Sequence, residues 1–277
     1  MIYLKTAEEI KVIREGGKLL NKILKTLLTE VKPGVRTANL EKLALQLIAQ
    51  VGGSPAFKDY PMGGGIFFPS ALCVSINDEV VHGSSLPDRE IKIGDIVDLD
   101  IGMEWPILES ERKKYNFLTN PHSKFGGYFT DMCATVGAGP ITQEAKKLLR
   151  VTKECLDLAI KQAKPGNKMN DIARAVAHLA NKHNFGIVRD LIGHGLGYFA
   201  HEAPDVFHYE INERSLDNIV LEPGLVIAIE PMINAGDWRV KIADNDYTFI
   251  TRDGSLSAHF EHTIAVTNNG PEILTAP

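Results

Sequence analysis

The chain has 277 residues, 44% hydrophobic and 23% charged, the balance of a soluble globular protein able to bury a sizeable core. A formal net charge of −5 argues against a broad electrostatic footprint for nucleic acid. There is no run of about 18 apolar residues to span a membrane, and the charged start MIYLKTAEEIKVIREGG lacks the apolar region of a signal peptide. Cys73, Cys133 and Cys155 are odd in number and lack CxxC spacing, which suits a reducing cytoplasm rather than a zinc finger or a disulfide framework.

Thr6-Ala7-Glu8-Glu9 reads as a capping box opening a helix to about Leu28, with Ile10, Ile13, Leu20, Ile23, Leu24 and Leu27 at helical spacing. Lys32-Pro33-Gly34 breaks it. Thr37 can cap a second helix, with Leu40, Leu43, Ala44, Leu47 and Ile48 on one face and Gly52-Gly53 beyond its end. Strand-like runs LCVSI and IKIGDIVDLDIG follow, rich in β-branched residues. Residues Met103 to Phe125 form an unusual charged stretch with two prolines, carrying Trp105, Tyr115 and Phe117, before the next strand, GYFTDMCATVG. The pattern then repeats: Thr142 caps a helix to about Ala163, Lys164-Pro165-Gly166 breaks it, and a helix runs from about Asn170 to His183. GLVIAIEPMI, DYTFIT and HFEHTIAVT close the chain as strands. Two helices followed by strands, twice over, predict an α+β fold. We expect one pseudo-symmetric domain over residues 1–277, with repeats at about 6–138 and 141–267.

The repeat carries carboxylates. One offset of 130 residues separates Gly94 from Gly224, Asp100 from Glu230 and Asp131 from Glu261. Asp98 and Asp100 lie two apart in an apolar strand and so share a face, and Glu230 sits in the nearly all-apolar LVIAIEPMI. Buried carboxylates of this kind are costly unless paired or bound to metal. Singly, a strand acid more often marks a salt bridge or a sheet edge; four acids at equivalent places shift that balance. His194 lies among glycines in GHGLG, with His201 in AHEAP and His82 in VVHGS; each alone is an ordinary turn, surface or core histidine. His178 and His183 read as structural, and His122 and His208 fall in loops. His259 and His262 flank Glu261 and are expected to point away from it. An oxygen-rich set with one imidazole is wrong for a closed structural zinc site and suits a pair of divalent ions such as Mn, Fe, Co or Zn. Such a pair activates water for hydrolysis.

The ordered stretches CVSINDEVVHG, GDIVDLDIG, GYFTDMCATVG, GHGLGYFAHEAP, LEPGLVIAIEPMINAG and SLSAHFEHTIAVT resemble a type I methionine aminopeptidase of the pita-bread fold, family M24, along nearly the whole chain. The resemblance implies a pseudo-twofold antiparallel sheet covered by two helix pairs. It implies two divalent ions (Co, Mn, Fe, Zn or Ni) on Asp100, Asp131, His194, Glu230 and Glu261, with Asp131 and Glu261 bridging them. It implies removal of the N-terminal methionine of nascent polypeptides, preferring a small second residue, by attack of a metal-bridging hydroxide on the first peptide bond. Glu230 would also relay a proton, His201 would contact the substrate carbonyl, and His82 would approach the scissile amide. Cys73, Phe68 and Tyr247 match positions of the methionine pocket, although Phe68 stands where many relatives have Tyr and Tyr247 where many have Trp; the alternative is that Phe68 and Tyr247 are simply core. A cytoplasmic monomer is implied, with no nucleic-acid cofactor and no membrane; any transient ribosome contact would have to come from the domain surface.

Two features depart from the family pattern. Gly102 stands where the family often has Thr, and the segment 103–125 exceeds the usual tight connection; it reads either as a hairpin or flap near the site that shapes access or contacts a partner, or as a family-specific ornament. The rival readings are an Xaa-Pro peptidase, which usually carries a further N-terminal domain of a hundred residues or more, a type II methionine enzyme, which carries an insertion between the equivalents of His201 and Glu230, and a non-catalytic relative, which typically loses ligands.

Overall fold

The computed structural model describes residues 1–276. Helix α1 (Ala7–Thr29) begins at a capping box: the Thr6 N–H donates to Glu9 Oε2 (2.8 Å) and the Glu9 N–H to Thr6 Oγ1 (3.3 Å). All six of its expected apolar residues are buried. Helix α2 (Thr37–Gln50) follows the break at Pro33-Gly34. Its start differs from expectation. Arg36 is the cap residue, and Thr37 is fully buried, donating to the Ser85 carbonyl (2.7 Å) and accepting the Arg89 N–H (2.9 Å). A tertiary loop has taken the hydroxyl that a free helix would spend on its own end.

Helix α3 (Glu109–Tyr115) is a short excursion between the two long strands of the first half. Helices α4 (Gln143–Ile160) and α5 (Met169–Lys182) repeat the first helix pair, with Thr142 accepting the Ala145 N–H at 3.1 Å. None of the described helices is long and apolar enough to cross a membrane.

Each helix pair covers its own sheet. In the first, strand Ile96–Trp105 lies between Cys73–Ile76 and Tyr128–Gly137, antiparallel to both. In the second, the order is Glu202–Val206, Gly193–Gly195, Val226–Ile229, His262–Thr267, Gly270–Ile273, again antiparallel. One apolar core lies under α1 and α2 and a second under α4 and α5.

The halves meet where Tyr128–Gly137 passes the segment 257–267. Ala134 and Phe260 form a bridge, and the Glu261 N–H donates to the Cys133 carbonyl (3.2 Å). The Thr263 hydroxyl donates to the Asp131 carbonyl (2.8 Å) and accepts the Asp131 N–H (3.0 Å). The Thr135 hydroxyl accepts the His259 N–H (2.9 Å). Two threonines thus join the strands that carry the bridging candidates, Asp131 and Glu261.

Met103 to Trp105, expected to begin an insert, complete the strand Ile96–Trp105, because their register continues against Tyr128–Thr130. The excursion proper is 106–127. Its counterpart in the second half, 235–256, folds differently: it holds the hairpin Val240–Ile242/Phe249–Thr251, which pairs with Glu79–Val81.

Candidate metal centre

Asp100 and Asp131 enter the site from neighbouring strands of the first sheet, Asp100 opposite Cys133 and Asp131 opposite Gly102. Glu230 follows the end of strand Val226–Ile229, and Glu261 precedes His262–Thr267. His194 comes from the short strand Gly193–Gly195. Its flanking glycines are required by close approach: a β-carbon on Gly193 would lie 2.4 Å from the Ala228 carbonyl oxygen, and one on Gly195 2.4 Å from that of Ala203. Backbones of the adjoining strands therefore fill the places of both missing side chains, and the strand that carries His194 is held between them.

All five candidate ligands line one cavity of about 380 Å³, together with His82, His201, Cys73 and Phe68. Ligand atoms of Asp131, His194 and Glu261 all lie within 4.8 Å of one another. His194 Nδ1 is 2.9 Å from the Gly195 carbonyl oxygen, so it carries the proton and leaves the Nε2 lone pair free toward Glu230 Oε1, 3.4 Å away.

The electrostatics of the cluster are those of a site short of positive charge. Burial, opposed by the His259 charge and reinforced by Asp98 and Glu230, raises Asp100 to about 7. Burial and then the neighbouring acids push Asp131 and Glu261 well above the carboxylate range. Burial also raises Glu230. Asp100 Oδ1, Asp131 Oδ1, Glu230 Oε1 and Glu261 Oε1 are buried without a hydrogen-bond donor. Four converging carboxylates with orphaned oxygens and a neutral imidazole lone pair fit divalent cations and fit little else.

Two surrounding groups, His259 and His208, were misplaced by pattern alone, and Asp98, marked by its spacing, joins them. His259 was expected to point away from Glu261. Instead its ring lies at the site, with Nδ1 3.4 Å from Asp98 Oδ2 and Nε2 3.4 Å from Glu230 Oε2. The expectation erred in parity: His259 is two residues before Glu261, so the pleat returns it to the same face. Only His262, one residue after Glu261, faces away, with Nδ1 2.8 Å from Thr275 Oγ1. Burial opposes a charge on His259, but Asp98 and Glu230 outweigh it and raise its pKa well above the ordinary histidine value. His208, read as an ordinary loop residue, is buried and accepts the Glu230 N–H at Nε2 (3.1 Å). Asp98 Oδ1 lies 3.1 Å from the Thr135 hydroxyl. The signal for Asp98 was its two-residue spacing from Asp100; nothing in the sequence marks His208.

His82 has a left-handed backbone (φ 58°), which is costly for a residue with a β-carbon. Burial, then the charges of His201 and His259, lowers its pKa to about 4. His201 stands open to the cavity on one side, and the protein packed around its other side lowers its pKa. Its ring centroid is 4.2 Å from that of His194 and 4.9 Å from that of Tyr60. At neutral pH both histidines are uncharged N–H donors.

The apolar wall comprises Phe57, Tyr60, Met62, Phe68, Cys73, Val81 and Met232. Tyr247 does not line the cavity; it packs edge-on against Phe68 from outside, with centroids 5.6 Å apart. The segment 103–125 does not line it either. It packs beside the loop before His201, with the Asn120 amide donating to the Tyr198 carbonyl at 2.9 Å.

The sequence model of Metallopeptidase family M24 matches residues 11–107 and 118–268, leaving out the whole of α3. The chain is 38% identical over 275 residues to the methionine aminopeptidase of Clostridium acetobutylicum, covering 99% of each. It is 38% identical over 276 residues to methionine aminopeptidase 1 of Bacillus subtilis, again covering 99% of each. Among solved structures, the methionine aminopeptidase of Thermotoga maritima superposes with a TM-score of 0.86 at 35% identity, covering all of both chains. The prolidase of Pyrococcus horikoshii shares the fold at 20% identity and a TM-score of 0.72, but this chain covers only 63% of it. On this full-length likeness, the chain belongs to metallopeptidase family M24, and within it to the methionine aminopeptidases.

Proposed function

We propose that the chain removes the N-terminal methionine from peptides and nascent proteins, preferring a small second residue. The observation that carries this reading is the convergence of four acids (Asp100, Asp131 and Glu261 buried, Glu230 half-buried) and the His194 lone pair on one cavity that also has an apolar, sulfur-bearing wall. Asp100, Asp131, His194, Glu230 and Glu261 would hold two divalent ions. When bound, such ions supply a water acidic enough to attack at neutral pH and polarise the carbonyl.

The chain's own residues do the rest. Glu230, with one oxygen facing His259 and the other free, accepts the proton released as water adds and returns it to the leaving amine. His201 donates an N–H to the oxygen of the scissile carbonyl as negative charge grows there. His82, held by its strained backbone, donates toward the scissile amide. Phe57, Phe68 and Cys73 enclose the methionine side chain, a flexible thioether suited to an aromatic and sulfur-lined slot. The substrate's free amine meets the acid cluster, which limits cleavage to one residue.

Both halves supply ligands, so residues 1–277 act as one catalytic unit. Three unpaired buried cysteines and a nascent-chain substrate support a cytoplasmic enzyme, which we take to act as a monomer. The test is turnover of Met-Ala-Ser with Co, Mn, Fe or Zn, varying the second residue from Gly to Leu. The reading requires cleavage that falls as the second residue grows, and loss of roughly a hundredfold or more in Glu230→Ala and His201→Ala. Full activity in Glu230→Ala, or no cleavage with any of the four metals, would sink it.

A further inference from the structure

His201 sits at the end of a stretch, residues 196–201, that has no regular secondary structure of its own. Its direction must come from what touches it. Besides the rings of Tyr60 and His194, two segments hold the backbone around it, and neither lines the cavity.

The first is the N-terminal arm. Lys5 Nζ forms an ion pair with Glu202, and both side chains are buried, at 0% and 3% exposure. The second Glu202 oxygen accepts the N–H groups of Tyr198 and Phe199, each at 3.2 Å. Glu202 thus ties the middle of the loop, and the residue that follows His201, to one lysine. Lys5 is itself fixed, its N–H donating to the Gly224 carbonyl at 2.7 Å and its Nζ to the Tyr3 carbonyl at 3.1 Å. The loop is shaped to receive it: a β-carbon on Gly197 would stand 2.9 Å from Lys5 Cε.

The second is the 106–127 excursion, whose helix lies outside the family match while Asn120 and His122 lie within it. Asn120 is fully buried, and its Nδ2 donates to the Tyr198 carbonyl (2.9 Å) and the Gly127 carbonyl (2.7 Å). The His122 ring lies 5.0 Å from that of Tyr198.

A buried ion pair is a poor source of net stability, because desolvation offsets most of the attraction. What it does impose is a single arrangement of the groups it joins. We propose that Lys5 and Asn120 are positioning residues for His201, gripping the loop from behind so that its imidazole is aimed into the cavity. This rests on the role given to His201 above.

The test is a set of double-mutant comparisons on the metal-loaded, full-length enzyme with Met-Ala-Ser. Lys5→Met and Asn120→Ala are each expected to lower kcat about 10- to 100-fold, with KM changed less than about threefold. In a His201→Ala background the same substitutions should cost less than about twofold, since a positioning residue has nothing left to position. Amide hydrogen exchange over 197–203 should rise in both single variants while strand Val226–Ile229 stays protected. Equal fold-losses in the two backgrounds would overturn the proposal, as would wild-type kcat or unchanged exchange of the loop in the single variants. Wild-type activity in His201→Ala alone overturns it by a separate route, by removing the role of His201 itself. If Lys5→Met shows no cooperative melting, Asn120→Ala decides the matter by the same comparison.

Discussion

The ring of Phe57 occupies the space that a side chain on Gly102 would need: a β-carbon there would stand 2.7 Å from Phe57 Cε1 and 3.0 Å from the Ala56 β-carbon. Gly102 lies opposite Asp131 in the sheet, so the absence of a side chain brings an aromatic wall close to the acid cluster. The departure from the threonine common in the family exchanges a hydroxyl for a ring. Gly102→Thr should force Phe57 outward at a cost of about 1–3 kcal/mol, the usual range for overpacking. We expect KM for Met-Ala-Ser to rise about tenfold or more, about 1.4 kcal/mol in binding. Adding Phe57→Ala should recover much of that loss. Steady-state kinetics and thermal melts of the single and double variants check both.

His259 is the only described side chain within ion-pair reach of both Asp98 and Glu230. Replacing it by leucine leaves two buried carboxylates without that partner, at a cost of roughly 1–3 kcal/mol for each group. Metal affinity should fall about 10- to 100-fold, the usual consequence of losing a group that orients a ligand. Calorimetric titration of metal into the stripped His259→Leu protein measures it, and an unchanged affinity would remove His259 from the site's support.

Stripping the metals leaves the carboxylate cluster to titrate by itself. Asp100, with a folded pKa of about 7, holds its proton more tightly folded than unfolded. The stability linked to that proton is therefore fully present below the unfolded carboxylate value near 4 and lost as pH rises through about 7. Asp131 and Glu261 act in the same direction. The melting temperature of chelated protein, followed from pH 5 to 8, should fall as pH rises, and the gap to metal-loaded protein should widen.

His82 has the opposite sign. Its folded pKa of about 4 lies below the ordinary histidine value, so the unfolded chain takes up the proton first. Its contribution is intact above about 6.5 and is lost as pH falls from there toward about 4. Proton NMR of the imidazole C2–H in metal-free protein should give a midpoint near 4. His82→Asn should flatten the acid side of the stability curve; a midpoint near 6.5 would contradict the burial argument.

Glu41 on α2 is buried and accepts the N–H groups of Ala71 (2.8 Å) and Leu72 (3.0 Å) and the hydroxyl of Ser85 (2.9 Å). It fixes the turn that delivers Cys73 to the pocket. Glu41→Ala orphans those three donors and should destabilise the fold by about 2–4 kcal/mol, near the cost of breaking a buried hydrogen-bonded network. Urea denaturation would show it as a lower midpoint with an unchanged slope.

The helices were legible because their information is local. Thr6 with Glu9, the Pro-Gly breaks and Thr142 mark ends, and the spacing of Ile10, Ile13, Leu20 and Leu24 marks a face. The acids were legible because the chain states them twice, at one offset. Other assignments depend on contacts between distant residues. Thr37 resembles a cap until the Ser85 loop takes its hydroxyl. His208 looks idle until the Glu230 backbone is brought to it across 22 residues. Asn120 is one more polar residue of a charged stretch, and only the fold sets it against Tyr198. Tyr247 illustrates the converse, since a matching position in the sequence placed it near Phe68 but could not say which of the two rings reaches the cavity.

The threonine-stitched boundary between the halves has a further consequence. Asp131 is tied through Thr263 to the strand following Glu261, while Thr135 joins the same neighbourhood to His259. The boundary between the two halves therefore runs beside the proposed metal ligands Asp131 and Glu261. Hinging of one half against the other would change the spacing of the ligands before it disturbed either apolar core. Catalytic competence is thus a sensitive gauge of how well two matched pieces of one chain stay in register.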